Sequence, residues 1–194
     1  MRDDFRLVAR IYDRIIKPNQ DISWGKIICE LGSTSTLLDV GGGTGRIADV
    51  MAKCFEKILI YDVSLAMIKE SKKKNGKIFG ICGKVENLAV KRDYFDAVIM
   101  VDTLHHVENH HQAILSILNV LKPGGIFILE EPDIRKFPVK LIAVMEKLLL
   151  MRSHFLKPEV VDNWIDKKEF TAKLIEEDNN YYFIIKKIFT EVIK

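Results

Sequence analysis

Cysteine is scarce, and what there is forms no pattern. The 194 residues carry three, Cys29, Cys54 and Cys82, odd in number, widely spaced and never as C-x-x-C. That usage predicts free, buried thiols in a reducing cytosol. Long apolar runs are missing too. The richest stretch, Leu141–Met151, is interrupted by Glu146 and Lys147 and falls short of the ~20 residues of a membrane span. The N-terminal MRDDFRLVARIYD is charged throughout and has no apolar h-region, so no signal peptide is expected and the expected location is cytoplasmic. Neither sign of charge prevails: 30 basic residues face 27 acidic ones, for a net +3. Such a balance gives no reason to expect a nucleic-acid partner, and the Lys72-Lys73-Lys74 run reads as a solvated helix end. No internal repeat or low-complexity tract stands out.

What is present is a core. The chain is 48% hydrophobic and 29% charged, enough to bury a sizeable interior, and its length fits a single domain over 1–194. Five short apolar runs read as strands: Thr36–Val40, Lys57–Asp62, Lys77–Cys82, Phe95–Val101 and Ile126–Glu130. Four of them are nearly continuous in Leu, Ile and Val, as strands buried on both faces are. Helical periodicity lies between them, at Gly45–Phe55, Ser64–Lys73 with Ser64 as N-cap, and Asn109–Leu121,. Lys122-Pro123-Gly124-Gly125 reads as a helix stop and turn,. Ahead of the core, Asp3–Ile16 and Ile22–Leu31 look helical, so residues 1–33 would cover one end of it. After the core at 34–131, residues 132–194 read as helices at Phe137–Leu156 and Pro158–Lys168, then a hairpin of Phe170–Glu177 and Tyr181–Ile188,. The expectation is an α/β fold: a Rossmann-like, doubly wound, mostly parallel seven-stranded sheet with helices on both faces and an antiparallel C-terminal hairpin.

The loop after the first strand carries the strongest signal. Leu38-Asp39-Val40-Gly41-Gly42-Gly43-Thr44-Gly45-Arg46 leaves a strand and opens a helix, where glycines permit a sharp turn and close approach of a ligand to main chain. The nicotinamide fingerprint G-x-G-x-x-G would need glycine at position 46, which is Arg46, and the P-loop ending Gly-Lys-Ser/Thr is absent,. Asp39, just ahead of the loop, would repel a pyrophosphate and suits a cationic ligand. Asp62 ends the second strand 21 residues beyond Gly41, where an acid binds ribose hydroxyls.

Other segments extend the pattern: Asp62-Val63-Ser64-Leu65-Ala66-Met67, Gly83-Lys84-Val85-Glu86-Asn87-Leu88, Phe95-Asp96-Ala97-Val98, Leu104-His105-His106-Val107 and Leu121-Lys122-Pro123-Gly124-Gly125. In order and spacing, residues 5 to 131 resemble the class I S-adenosylmethionine-dependent methyltransferases. Phe5–Asp13 is similar to the A-x-x-Y-D opening helix of their ubiquinone/menaquinone C-methyltransferase-like branch. The resemblance implies S-adenosylmethionine as cofactor and S-adenosylhomocysteine as product. It implies that Asp39, Gly41, Gly42, Gly43, Thr44 and Gly45 face the methionine end and that Asp62 holds the ribose. Val63 and Met67 would pack on adenine, Lys84 and Val85 would lie at its edge, Asp102 and Thr103 would lie beside the cofactor, and Tyr12 would either close over it or serve helix packing. Lys84 departs from the family's aspartate, and lysine accepts no hydrogen bond, which leaves the adenine amino group to main chain or to Glu86.

Methyl transfer needs alignment and exclusion of water more than it needs a reactive side chain. If the acceptor must lose a proton, His105 and His106, just past the fourth strand, are the candidate bases,. No metal is expected: His106, His110 and His111 sit close in sequence, but no cysteine or acid completes a set at familiar spacing,. There is no Asn/Asp-Pro-Pro-aromatic after the fourth strand, so a small-molecule acceptor is favoured over a nucleic acid. Leu141–Phe155, apolar on more than one face, either covers the sheet or forms a lid over an apolar, quinone-like or lipidic acceptor, with transient contact to a membrane surface in the lipidic case. Two other readings stay open: a non-catalytic S-adenosylmethionine- or S-adenosylhomocysteine-binding module, and a nicotinamide-dependent oxidoreductase, which Arg46 disfavours.

Overall fold

A computed structural model describes residues 25–32, 35–148 and 153–189. In chain order they form α1 (Gly25–Cys29), β1 (Thr36–Val40), α2 (Arg46–Met51), β2 (Lys57–Asp62), α3 (Leu65–Ser71), β3 (Ile78–Cys82), β4 (Phe95–Val101), α4 (His110–Val120), β5 (Leu121–Pro132), α5 (Phe137–Leu148), α6 (Pro158–Asp162), β6 (Phe170–Glu177) and β7 (Asn180–Lys187). Short 3-10 turns at Val85–Asn87 and Leu104–His106 follow β3 and β4. The seven strands make one sheet in the order β3-β2-β1-β4-β5-β7-β6. The first five are parallel, and β7 and β6 are antiparallel.

Period-two alternation explains why both faces are covered. Leu38, Val40, Val98, Met100, Phe127 and Leu129 enter one core, with Ala113, Ile114 and Ile117 of α4. Their neighbours Leu37, Ala97, Ile99, Ile126 and Ile128 enter the other, with Ile28 of α1, Ala48 and Met51 of α2 and Ile68 of α3. Each fully buried side chain of this size contributes about 1.5–3 kcal/mol of transfer free energy, so β1, β4 and β5 are held from both sides. Ser64 caps α3 by accepting from Met67 N, and Asn109 caps α4 by accepting from Gln112 N. At the entrance of the sheet Asp96 accepts from Thr36 N and Oγ1 (2.8 and 2.9 Å) and from Lys122 Nζ (2.8 Å), tying the starts of β1, β4 and β5. Arg135 joins Asp133, Glu159 and Glu176, fastening the end of β5 to α6 and β6.

Several expectations need correcting. Lys122-Pro123-Gly124-Gly125 does not separate helix from strand. β5 begins at Leu121, which pairs with Phe95, and the extra residues form an irregularity before Ala97 meets Ile126, with Gly124 at φ 79. α2 stops at Met51, not Phe55, because the chain turns there to bury Phe55. α6 covers only Pro158–Asp162, since Asn163 begins a turn. Asp3–Ile16 lies outside the described residues. Among the described residues no helix is long and apolar enough to cross a membrane.

The thiol expectation fails most clearly. Cys29 and Cys54 form a disulfide, their Cα atoms 5.1 Å apart, and Cys82 is exposed, not buried. The cause is tertiary: α1 and the end of α2 belong to the same face of the sheet, which brings together residues 25 apart. Closing a loop of that length restricts the unfolded chain by about 3.5 kcal/mol. Reduction is therefore expected to lower the urea unfolding midpoint and to steepen the slope, since the reduced unfolded chain is more expanded. Two thiols beyond Cys82 reacting in the native protein without reductant would rule the bridge out.

Candidate functional site

Open parallel sheets bind ligands outside the carboxyl ends of their strands, where the strand order reverses. Here that place is between β1 and β4. Gly41 N continues the ladder by donating to Tyr61 O at 2.7 Å, and the chain then folds back through Gly45 N to Gly42 O at 2.8 Å. Gly41 is at φ 71, and a Cβ there would lie 2.2 Å from Thr103 Cγ2. Gly45, at φ 77, would meet Ile60 Cδ1 at 2.9 Å. Both positions need the left-handed region and have no room for a side chain. Gly43 differs: the nearest atoms to its Cβ position are Gly41 O at 3.9 Å and Met67 Sδ at 4.0 Å. The loop is thus packed against protein at its two ends and open at its middle, with buried Met67 beneath. Thr44 is buried.

Two carboxylates frame this opening. Asp39 is 2% exposed and packs under Gly42, whose Cβ would lie 2.5 Å from its carboxyl carbon. Its Oδ2 is buried without a hydrogen-bond partner among the described residues. Burial first, and then the charge of Asp62, push the Asp39 carboxyl up to about 7, with Arg46 and the Ala48 N–H pulling the other way,. Asp62 is committed to the loop it faces: Oδ2 accepts from Gly43 N at 3.0 Å and Oδ1 from Ser64 N at 2.7 Å. A cationic group over Asp39 would satisfy the orphaned oxygen, which is the fit expected for the ammonium end of S-adenosylmethionine.

The far wall is the end of β4. Thr103 Oγ1 donates to Val101 O (2.8 Å) and reaches Gly41 O (3.4 Å), so it touches the glycine loop directly. Asp102 sits at the surface at φ 48. The protein packed around it, then the charges of Glu131 and Glu130, push its carboxyl up to about 6. Beyond it, Glu131 organises the turn. Its Oε1 accepts from Thr103 N (2.8 Å) and Leu104 N (2.6 Å), and its Oε2 from His105 N (3.3 Å) and the His105 ring at Nδ1 (2.6 Å). Burial alone would depress the imidazole, but the hydrogen bond and charge of Glu131 outweigh it, and the net shift is upward. His105 stacks on Phe155 at 4.5 Å. His106 lies 4.0 Å from it, ring to ring, with its Nδ1 3.1 Å from Ser153 Oγ.

The remaining expected residues fall on the β3 side. Lys84 turns away toward Glu108 (3.3 Å), and Val85 is buried. Glu86 faces α4: its Oε1 accepts from Asn109 N (3.4 Å) and its carbonyl from Ser116 Oγ (2.7 Å). Lys84, Glu86, Glu108, His111 and Trp164 line part of a cavity of about 590 Å3. Val63 sits between Asp62 and the Ser64 cap, and its carbonyl receives the Cys82 thiol. Tyr12 lies outside the described residues. Sequence reading missed Glu131, Glu146, Ser153 and Phe155. Only the Glu130-Glu131 pair at the end of an apolar strand carried any signal; the others lie about 40 to 50 residues from the histidines they meet.

Comparison with known proteins bears on the family and the fold. Residues 38–129 match a family model described as a methyltransferase domain. The chain is 31% identical over 139 residues to the demethylmenaquinone methyltransferase of Tropheryma whipplei, covering 68% of this chain and 58% of that protein. It is 29% identical over 166 residues to the ubiquinone/menaquinone biosynthesis C-methyltransferase of Wigglesworthia glossinidia brevipalpis, covering 79% and 64%. It thus spans less than two thirds of the length of these curated relatives. Among solved structures it is similar to an S-adenosyl-L-methionine-dependent methyltransferase of Methanococcus maripaludis, with a TM-score of 0.72 at 22% identity over 100% of this chain and 98% of that one.

The state of Asp39 has a consequence for stability. Unfolded, it titrates near 3.9; folded, near 7. Between those values the unfolded chain has released a proton that the folded one keeps. Rising pH therefore favours unfolding across that window, and the loss levels off above it. Asp39→Asn is expected to raise the thermal midpoint of the ligand-free protein at about pH 8 and to leave it unchanged near pH 4. An equal gain at both pH values in the same melts would rule out ionisation as the cause.

Proposed function

We propose that this chain, whose residues 38–129 match a methyltransferase domain, is a class I S-adenosylmethionine-dependent enzyme that transfers a methyl group to a small, apolar, quinone-like acceptor. The observation that carries the reading is the orphaned oxygen of buried Asp39 beneath a glycine loop open only at Gly43. When bound, S-adenosylmethionine supplies a methyl group on a cationic sulfur. What remains for the protein is to hold donor and acceptor in line and keep water out.

We assign Asp39 and the main chain of Gly41–Gly45 to the amino-acid end and Asp62 to the ribose. Val63 and Met67 pack on the adenine, and Asp102 and Thr103 flank the cofactor from β4. Lys84 cannot accept from the adenine amino group and is drawn to Glu108, while Glu86 is occupied by α4. The main chain beside Val85 takes that contact. Where the acceptor gives up a proton, His105 and His106 receive it. The quinone-like acceptor is supported by the names of the relatives and by α5, where Phe137, Leu141, Ile142, Val144, Met145 and Leu148 are all exposed.

Lys84 also favours a second reading, a module that binds the cofactor without turnover. Methyl-tritiated S-adenosylmethionine, incubated with the protein and demethylated quinols, separates the two: label in the organic phase is expected. No label at saturating cofactor, with S-adenosylhomocysteine still bound, would leave the binding module. Asp62→Ala is expected to weaken S-adenosylhomocysteine at least about tenfold, roughly 1.4 kcal/mol, with an unchanged circular dichroism spectrum. Unaltered affinity by calorimetry would remove Asp62 from the site.

A further inference from the structure

All five histidines of the chain, His105, His106, His110, His111 and His154, gather at the carboxyl end of β4. His105 and His106 are ring neighbours at 4.0 Å, His110 and His154 at 5.3 Å, and His154 N donates to His105 O at 2.7 Å. One acid from α5 joins them. Ligand atoms of His105, His106 and Glu146 all lie within 4.8 Å of one another. Glu146 Oε2 is buried and has no hydrogen-bond partner among the described residues.

We propose that His105, His106 and Glu146 bind one divalent transition-metal ion of the zinc class. Two imidazoles and a carboxylate are a three-ligand set for such an ion, with a fourth position left open. A tetrahedral site with bonds of about 2.0–2.2 Å sets its ligand atoms roughly 3.3–3.5 Å apart. The trio therefore needs movements of about 1 Å to close on an ion,. The supporting contacts are already in place. Glu131 holds His105 by Nδ1 at 2.6 Å, the carboxylate–histidine arrangement that fixes a ligating ring and leaves Nε2 for the ion,. Ser153 Oγ steadies the His106 ring from its Nδ1. A buried carboxylate oxygen without a donor is costly, and a cation between Glu146 and the two rings removes that cost. His110 and His154 lie outside the trio.

The site stands without the methyl-transfer reading; its use in catalysis rests on that reading. An acceptor hydroxyl bound at the open position would be held as its oxyanion, with its proton released to water. The ion would thereby replace His105 and His106 in handling the proton. Thr103, which links this turn to the glycine loop, puts the two sites on the same edge of the sheet.

The test loads the full chain with Zn2+, removes excess by gel filtration and measures bound metal by mass spectrometry, with Co2+ absorption reporting coordination. One equivalent is expected in the wild-type protein and in His110→Ala, and none in Glu146→Gln or His106→Ala. Glu131→Gln is expected to weaken Zn2+ about 10- to 100-fold. Circular dichroism and S-adenosylhomocysteine calorimetry on the same variants separate lost metal from lost fold and from a failed methyltransferase assignment. Absence of retained metal in the wild type, equal retention by Glu146→Gln, or loss in His110→Ala alone would each overturn the proposal.

Discussion

A single buried carboxylate fixes the far wall of the site. Glu131 stands at the end of β5 and is 3% exposed. An unpaired charge at that depth would be untenable, since the penalty for removing it from water is several kcal/mol. It persists because three consecutive backbone N–H groups and one imidazole converge on it. Hydrogen bonds to a charged acceptor are roughly twice as strong as neutral ones, and all four come from the turn after β4. The turn is therefore held by β5 as well as by its own 3-10 hydrogen bonds. Thr103, the first donor, is the residue that Gly41 packs against, so the position of the glycine loop is coupled to Glu131 through one side chain.

The near wall works on the opposite principle. The charge of Asp62 raises the cost of ionising Asp39, and Asp39 has a buried oxygen left unsatisfied among the described residues. An arrangement that is unfavourable without a ligand and relieved by a cation is how binding sites trade stability for affinity. A ligand that binds only the folded chain returns that stability by mass action. The wall at β4 is satisfied by its own hydrogen bonds; the wall at β1 keeps one buried oxygen unsatisfied among the described residues.

Much of the fold was legible. β1, β2 and β4 have the boundaries read from their apolar runs, and the Ser64 cap and C-terminal hairpin fall where capping and turn chemistry put them. These features are local, set by side-chain period and by hydrogen bonds over two or three residues. The glycine loop was legible for the same reason. The Cys29–Cys54 bridge, the long β5, and the contacts of Glu131, Glu146 and Ser153 were not. Each depends on which face an element packs against or on partners 25 or more residues away. A glutamate after an apolar strand reads as a solvated end until the turn that encloses it is known.

α5 shows how far local pattern and tertiary role can part. Its sequence is apolar on more than one face, yet among its described residues only Val139 is buried. The hydrophobic effect therefore contributes little to holding it on the sheet. The acidic residue in its last turns, Glu146, has an oxygen turned inward instead, buried beside His105 and His106. A helix that exposes its leucines and turns a glutamate oxygen inward is not placed by its apolar period alone. The apolar surface of α5 and the carboxylate beside the histidine cluster thus belong to one element, which side-chain period alone does not reveal.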